Sequence, residues 1–506
     1  MASVNVKESP LFVPTLWEGD RFVVLDETQI PLRTTYITVT EPAHAIEAVK
    51  EMKTRAFGQV LTFIYAAALA VQSRRIETVG EVRERVQALA QEFKQARPTF
   101  DFEGIAALLL NKLQGERAQR ETVESLVRGI LDYGAGIVAA RNSRAKRVAE
   151  LLPPSSRLLT HCNVSGELVA VAQHCREMGK EVEFIATETR PYLQGSRLTA
   201  WELSEAGVKV SLIPDSAIAQ VMERNQVDAA IVGSDRCARN GDIVNKVGTY
   251  PIALMARQYG VPFYALVQPP GKLRTGSDLS IEERPGSELL EFHGRSVGPE
   301  GVSGRYPAFD VTPASLVSRL IGFEGIFSPD EFRQKYGRET SFETHDQPDK
   351  GGYVMTYGVP KGLSSSYFAE ILREDKAAAI MVPEMRPELW GARLVARRLV
   401  QDRLPVTLIA DDMMGTFFAQ GKISRLLLFY SEVTEPGIHG ACGSLLAARL
   451  ARAHGVRIQL NPAEQVKERP EDPDVTTFLG ERVAPTGVEA LRVKEEVMPW
   501  DLLRAY

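Results

Sequence analysis

Two stretches of this chain align with each other without a gap. Arg190-Pro-Tyr-Leu-Gln-Gly-Ser-Arg-Leu-Thr-Ala and Arg386-Pro-Glu-Leu-Trp-Gly-Ala-Arg-Leu-Val-Ala lie 196 residues apart, and across 190–215 against 386–411 twelve of 26 positions are identical. A second echo joins Phe292-His-Gly-Arg-Ser-Val-Gly-Pro-Glu-Gly-Val302 to Phe478-Leu-Gly-Glu-Arg-Val-Ala-Pro-Thr-Gly-Val488. Solenoid units recur every 20–50 residues or so, roughly a quarter of this spacing or less. The repeating object is therefore a whole folding unit, and the chain has to accommodate it twice.

The hydrophobic pattern says what that unit is. After the break at Pro153-Pro-Ser-Ser156, short apolar runs at 157–161, 181–186, 208–213, 227–232 and 262–267 alternate with helical stretches at 167–178, 197–206, 216–225 and 247–259. Strands alternating with helices predict a parallel sheet covered on both faces. The first 150 residues read differently. Strand-like runs at 21–25 and 34–40 are followed by helical patterns at 43–53, 58–73, 79–95, 103–114 and 119–151, the later ones amphipathic. Residues 268–305 read as loops folding back on the sheet unit, and Pro307 to Pro313 as the lead into a helix capped by Thr312. The expected fold is α/β: an N-terminal mainly helical domain with a small β element (1–152), then two tandem Rossmann-like parallel-sheet domains (153–337 and 353–506) joined by a polar linker (338–352).

Composition narrows the function classes. A net charge of −5 with 25% charged residues gives no basic footprint for nucleic acid. No run of about 18 apolar residues marks a membrane span, and the N-terminus has no signal-peptide core. The four cysteines (Cys162, Cys175, Cys237, Cys442) form no CxxC pair and no zinc-spaced cluster. The expectation is a cytoplasmic protein without metal or organic cofactor that acts on a small molecule.

In open α/β sheets ligands bind beyond the carboxyl ends of the strands. Cys162, Asp215 and Asp235 all fall just past such ends, and Asp235 opens a polar loop carrying Arg236, Asn240, Gly241, Asn245 and Lys246, a set suited to an anionic, hydroxyl-rich ligand such as a sugar phosphate. The second copy tests this reading. At the same spacing Cys162 becomes Gly358, Gln194 becomes Trp390, Asp235 becomes Ser431, and Asn245-Lys246 becomes Ala441-Cys442. It keeps the turn and packing positions and loses the reactive ones. Asp215 survives as Asp411, which marks it as structural; His161 reads as a satisfied core histidine and Cys237 as a packing residue.

Leu159-Thr-His-Cys-Asn163, Thr189 to Leu203, Gly233 to Lys246 with Gly248-Thr-Tyr250, and Pro307 to Pro313 resemble the methylthioribose-1-phosphate isomerase family, whose fold is shared with ribose-1,5-bisphosphate isomerases and the regulatory subunits of translation initiation factor 2B. The resemblance implies Cys162 and Asp235 as the catalytic pair, and Arg55, Arg97, Gln194, Asn245 and Lys246 as substrate contacts. One motif departs from the family: Arg55-Ala-Phe-Gly58 stands where the family has Arg-Gly-Ala-Pro, so Phe57 puts a large ring at the substrate rim. The implied reaction is isomerisation of an aldose 1-phosphate to a ketose 1-phosphate, foremost S-methyl-5-thioribose 1-phosphate in methionine salvage. The alternatives are ribose 1,5-bisphosphate, 5-deoxyribose 1-phosphate, or a non-catalytic scaffold binding sugar phosphate or nucleotide. The degenerate copy is expected to form a pseudo-dimer within the chain, with a homodimer as the alternative.

Overall fold

The computed structural model describes residues 8–76, 78–98, 100–114, 122–337, 352–362, 364–466, 471–493 and 495–503. The expected linker at 338–352 lies, except for Gly352, outside the described residues. Five long helices form where the 3.6-residue period runs: Pro42–Lys50, Phe57–Ser73, Val79–Ala96, Phe102–Gln114 and Val123–Leu151. Thr78 and Thr122 start the third and fifth by accepting the backbone N–H three residues on. Phe57–Ser73 is apolar almost all round and becomes the axis of the bundle. Phe63 meets Phe93 edge-on at 5.3 Å and Phe102 at 5.6 Å, all three fully buried. Truncating Phe63 to Ala would cost about 3–5 kcal/mol. A three-stranded antiparallel sheet, Thr15–Trp17, Phe22–Leu25 and Tyr36–Val39, caps the bundle.

The chain is a mixed α/β fold with two parallel sheets. In the first, Phe263–Leu266, Ala229–Val232, Ser155–Thr160, Glu181–Thr187 and Val210–Ile213 lie side by side in that order, all parallel. In the second, Val406–Ile409, Ala379–Pro383, Tyr353–Tyr357, Ile423–Tyr430 and Arg457–Pro462 follow the same connectivity. Continuous apolar runs such as Ala229–Val232 are buried on both faces, as helices on both sides require.

The two units exchange edge strands. Ser303–Gly304, from the first half, adds parallel to Val406–Ile409 through Ser303↔Thr407. Glu489–Ala490, from the second half, adds to Val210–Ile213 through Glu489↔Ser211. Between the sheets, one hydrophobic core runs without interruption through Ile218, Met222, Met255, Met414, Phe417 and Leu446. Its polar centre is a reciprocal pair of buried ion pairs: Arg190 Nε to Glu384 at 2.8 Å and Arg386 Nη2 to Glu188 at 3.0 Å. Residues 190 and 386, and 188 and 384, are the equivalent positions of the repeat, so the two copies face each other about a local pseudo-twofold axis.

Two expectations need correction. Thr312 does not cap a helix: Phe309–Thr312 is a strand antiparallel to Ile243–Lys246, and beyond Pro313 the chain makes only a single tight turn at Ala314–Leu316. Pairing with the loop strand outweighs the local Thr-Pro start signal. The gap-free alignment also slips by one residue beyond Ser431. Asp235 donates its N–H to the Val244 carbonyl, and Ser431 donates to His439, so the spacing falls from 196 to 195. Lys246 therefore corresponds to Ala441, and Asn245 to Gly440, with Gly248 and Gly443 as equivalent left-handed helix starts (φ 102° and 94°).

Candidate active site

Asp235 sits where the Ala229–Val232 strand ends, and the polar loop after it is a hairpin of Arg236–Cys237 against Ile243–Lys246. Lys246 is thereby on a strand, and its side chain, only 5% exposed, points into the molecule. Its ammonium donates to the Tyr306 hydroxyl at 2.6 Å and lies 5.6 Å from the centre of the Tyr192 ring. Arg55 stands over the same Tyr192 ring at 4.6 Å. Tyr192 in turn donates to Glu288 and accepts from Arg284 at 2.9 Å. One aromatic ring thus gathers two cations from sequence positions almost two hundred residues apart.

Cys162 is strained. Its φ of 62° is the left-handed conformation that side chains avoid, and at the equivalent place the second copy has Gly358 with φ 93°. The strain is held on both sides, because the Cys162 N–H donates to Thr189 Oγ1 (2.9 Å) and its carbonyl accepts from Thr199 Oγ1 (2.6 Å). His161 behind it is buried, takes the Thr187 hydroxyl at Nδ1 and hydrogen-bonds the Val247 carbonyl through Nε2, both at 2.7 Å. Since a carbonyl only accepts, Nε2 carries the proton, and burial holds the ring neutral with a pKa near 4. This histidine ties the Cys162 strand to the loop carrying Lys246 and is a structural group, as expected.

Electrostatics draw the predicted residues into one site. The loss of bulk solvent pushes the Asp235 carboxyl up to about 6, opposed by Lys246, Arg97 and Arg236. Its side chain is exposed at the mouth of the site, so water moderates that push. Burial pushes the Cys162 thiol up to about 11, with Lys246 and Arg55 drawing it down and Asp235 reinforcing the rise. Lys246 is lowered by burial and held up by Cys162 and Asp412. The site therefore holds a thiol that stays protonated at neutral pH and a carboxyl poised to hold or release a proton.

Gln194 is 8% exposed, and its side-chain carbonyl has no hydrogen-bond partner among the described residues. Asn245 donates to Thr249 Oγ1 at 2.8 Å, bracing the next helix start. Arg97 pairs with Glu282 at 3.1 Å. Phe57 lies against the Arg141 guanidinium at 4.0 Å, and Arg141 in turn holds the carbonyls of Val164 and Ser165, just past Cys162. Its neighbour Ala56 has φ 40°, a left-handed value that a glycine would adopt without strain. Asp215 takes the N–H groups of Thr189 and Arg190, and Asp411 those of Met385 and Arg386. Both brace turns, so the structural reading of Asp215 holds.

Sequence reasoning missed Tyr192, Tyr306, Glu282 and Arg284. Tyr192 carried a signal, since it is replaced by Glu388 inside the repeated motif. Glu282 and Arg284 come from the stretch read as loops folding back, whose destination has no local signature.

The sequence pattern of the Initiation factor 2 subunit family matches residues 58–329 and 343–470, which together are most of the chain, and the protein belongs to that family. Within it, the chain is similar to the methylthioribose-1-phosphate isomerase of Desulforudis audaxviator, 39% identical over 337 residues, 62% of this chain and 93% of that one. Among solved structures it is similar to 5-methylthioribose 1-phosphate isomerase from Pyrococcus horikoshii (28% identity, TM-score 0.56, 67% of this chain and 98% of that one). It is also similar to the translation initiation factor eIF-2B delta subunit from A. fulgidus (33% identity, TM-score 0.52, 62% and 96%).

Proposed function

We propose that the protein interconverts S-methyl-5-thioribose 1-phosphate and S-methyl-5-thioribulose 1-phosphate. The observation that carries this is the convergence of Asp235, Cys162 and Lys246 at one sheet edge, in a chain that covers almost the whole length of isomerase relatives. Phosphate on the anomeric oxygen stops the sugar ring from opening by itself, so the ring oxygen needs an acid. Asp235, with its pKa near 6, can remain protonated long enough to supply it. Opening the ring frees C1 to take the hydrogen that leaves C2, while C2 becomes the ketone. As C2 becomes the ketone its hydroxyl proton returns to the Asp235 carboxylate, which closes the proton balance, while the Cys162 thiol, kept protonated by burial, stands opposite as the polar stabiliser of the transferring centre.

The substrate contacts rest on charge and hydrogen-bond satisfaction. Lys246 and Arg55, gathered on Tyr192, are the phosphate-binding cations. The unpartnered carbonyl of Gln194 suits a sugar hydroxyl. Asn245 holds the loop against Thr249, and Arg97, balanced by Glu282, lies at the rim.

We further propose the division 1–152, 153–337, 338–352 and 353–506, with two Rossmann-like units acting as an internal pseudo-dimer in a cytoplasmic enzyme. The exchanged edge strands and the Arg190–Glu384 and Arg386–Glu188 pairs support it. On this reading the active unit is a 55.9 kDa monomer, which light scattering would check. The function itself is tested by following 5-methylthioribose 1-phosphate by NMR beside ribose 1,5-bisphosphate and 5-deoxyribose 1-phosphate. The methylthio sugar should have the highest kcat/KM. Absence of turnover with all three would overturn the reading.

A further inference from the structure

The contact between the two copies is symmetric in shape and asymmetric in charge. On one side, a Cβ at Gly248 would meet Asp412 Cβ at 2.9 Å and His161 Nε2 at 2.8 Å; on the other, a Cβ at Gly443 would meet Ser216 Cβ at 2.7 Å and the Tyr357 hydroxyl at 1.8 Å. Asp412 and Ser216 are equivalent positions of the repeat, as are Lys246 and Ala441. The side with a lysine thus faces a carboxylate, and the side with an alanine faces a hydroxyl. Asp412 is 2% exposed, and neither of its oxygens has a hydrogen-bond partner among the described residues. A buried carboxylate without a partner is costly and needs a reason.

We propose that Asp412, supplied by the degenerate second copy, is a positioning residue for the first: its carboxylate is the counter-charge that keeps Lys246 protonated to receive the substrate phosphate. The groups around the pair are Asp215, Glu384 and Arg190 on the Asp412 side, Cys162, Arg55, Tyr192, Tyr306 and the carboxyls of Asp235 and Asp310 on the Lys246 side, and the neutral His161 ring at Gly248 between them. Burial drives both members toward their neutral forms, helped by Asp215 and Glu384 beside Asp412 and by Arg55 beside Lys246, and the mutual attraction of the pair opposes that. The decayed unit would then be retained for one charge as well as for its packing. The phosphate role of Lys246 rests on the isomerase reading; the charge coupling does not.

The test separates the two. Lysines labelled with 13C at Cε are titrated by NMR in the whole protein, with Lys246→Arg used only to assign the resonance. In the wild type Lys246, although lowered by burial, should still be protonated at neutral pH. In Asp412→Asn and in Asp412→Ser, which places there the residue its counterpart already has, the Lys246 titration should move down by about one unit or more, and KM for the sugar phosphate should rise about tenfold with a smaller change in kcat. A wild-type Lys246 that is already neutral near pH 7 overturns the proposal without any variant, and so does an unchanged Lys246 titration in either folded variant. If no sugar is turned over but the Lys246 shift appears, the isomerase reading fails and the coupling stands.

Discussion

The two sheet units share strand order, turn geometry and a common core, yet one carries the groups proposed to react and the other does not. What both retain is a record of what the fold needs. Asp215 and Asp411 brace the same turn, and Asp310 and Glu496 each take two N–H groups at the helix starts after Gly248 and Gly443. Gly195 and Gly391 each leave room for a strand carbonyl that would stand 1.7 and 1.8 Å from a Cβ. What only the first retains is Cys162, Gln194, Asp235 and Lys246, opposite Gly358, Trp390, Ser431 and Ala441. Packing and turn geometry therefore account for the shared set, while the unshared set includes a strained cysteine and a glutamine whose side-chain carbonyl has no partner among the described residues, which packing does not explain.

The comparison breaks if its two sides respond alike. Asp235→Asn should lower isomerase turnover by about 10²–10⁴-fold, the range for losing a general acid, whereas Ser431→Ala at the equivalent place should leave it within about twofold. Equal effects on NMR-followed turnover would contradict the assignment of chemistry to the first unit.

Interface pairs should behave the opposite way, with both sides sensitive. Arg190→Ala strands the buried Glu384, and Arg386→Ala strands Glu188 together with the buried Asp472 that it also holds at 2.9 Å, so each should cost about 3–5 kcal/mol in urea unfolding, with Arg386→Ala at the upper end. A large loss for one and none for the other would mean that the units do not share one interface as near equals.

The pH profile sharpens the role of Asp235. A carboxyl raised to about 6 is protonated below that value, so a reaction needing the proton should lose about tenfold in kcat/KM per pH unit above it. The bound phosphate disfavours ionisation further, so the same limb in kcat should lie at higher pH. Stability linked to this group runs the same way: it is fully present below about 3.9 and lost as pH rises through about 6. A profile rising through pH 6 would show that Asp235 acts as a base instead.

The smallest stability effect is expected at Cys162. Cys162→Gly gives the first unit the residue that the second already has, and relief of the left-handed backbone should offset most of the lost side-chain contact. A net change below about 1 kcal/mol is expected, together with a loss of turnover of roughly 10²-fold or more. A destabilisation as large as that of the arginine variants would show that the cysteine is a packing residue.

Much of this was legible in the sequence. The helices of the first 150 residues appear within a few residues of their hydrophobic period, because amphipathic spacing reports directly which face is buried. Asp235 and Cys162 were visible because each ends an apolar run that can only be a buried strand. Less legible was Phe309–Thr312, whose Thr-Pro sequence signals a helix start locally but whose backbone pairs with Ile243–Lys246. The edge strands Ser303–Gly304 and Glu489–Ala490 are too short to carry any periodicity.

By itself, then, the sequence determined that one parallel-sheet fold occurs twice and that the residues proposed to react stand in one copy alone, since strand period, turn residues and repeat identity are properties of neighbouring positions. Only the tertiary structure decided that the copies exchange edge strands, that Tyr192 gathers Arg55 and Lys246, and that Asp412 reaches the loop of the other unit. These are contacts between positions tens to hundreds of residues apart, and their partners are chosen by the geometry in which both units can bury one core, to which no local pattern refers.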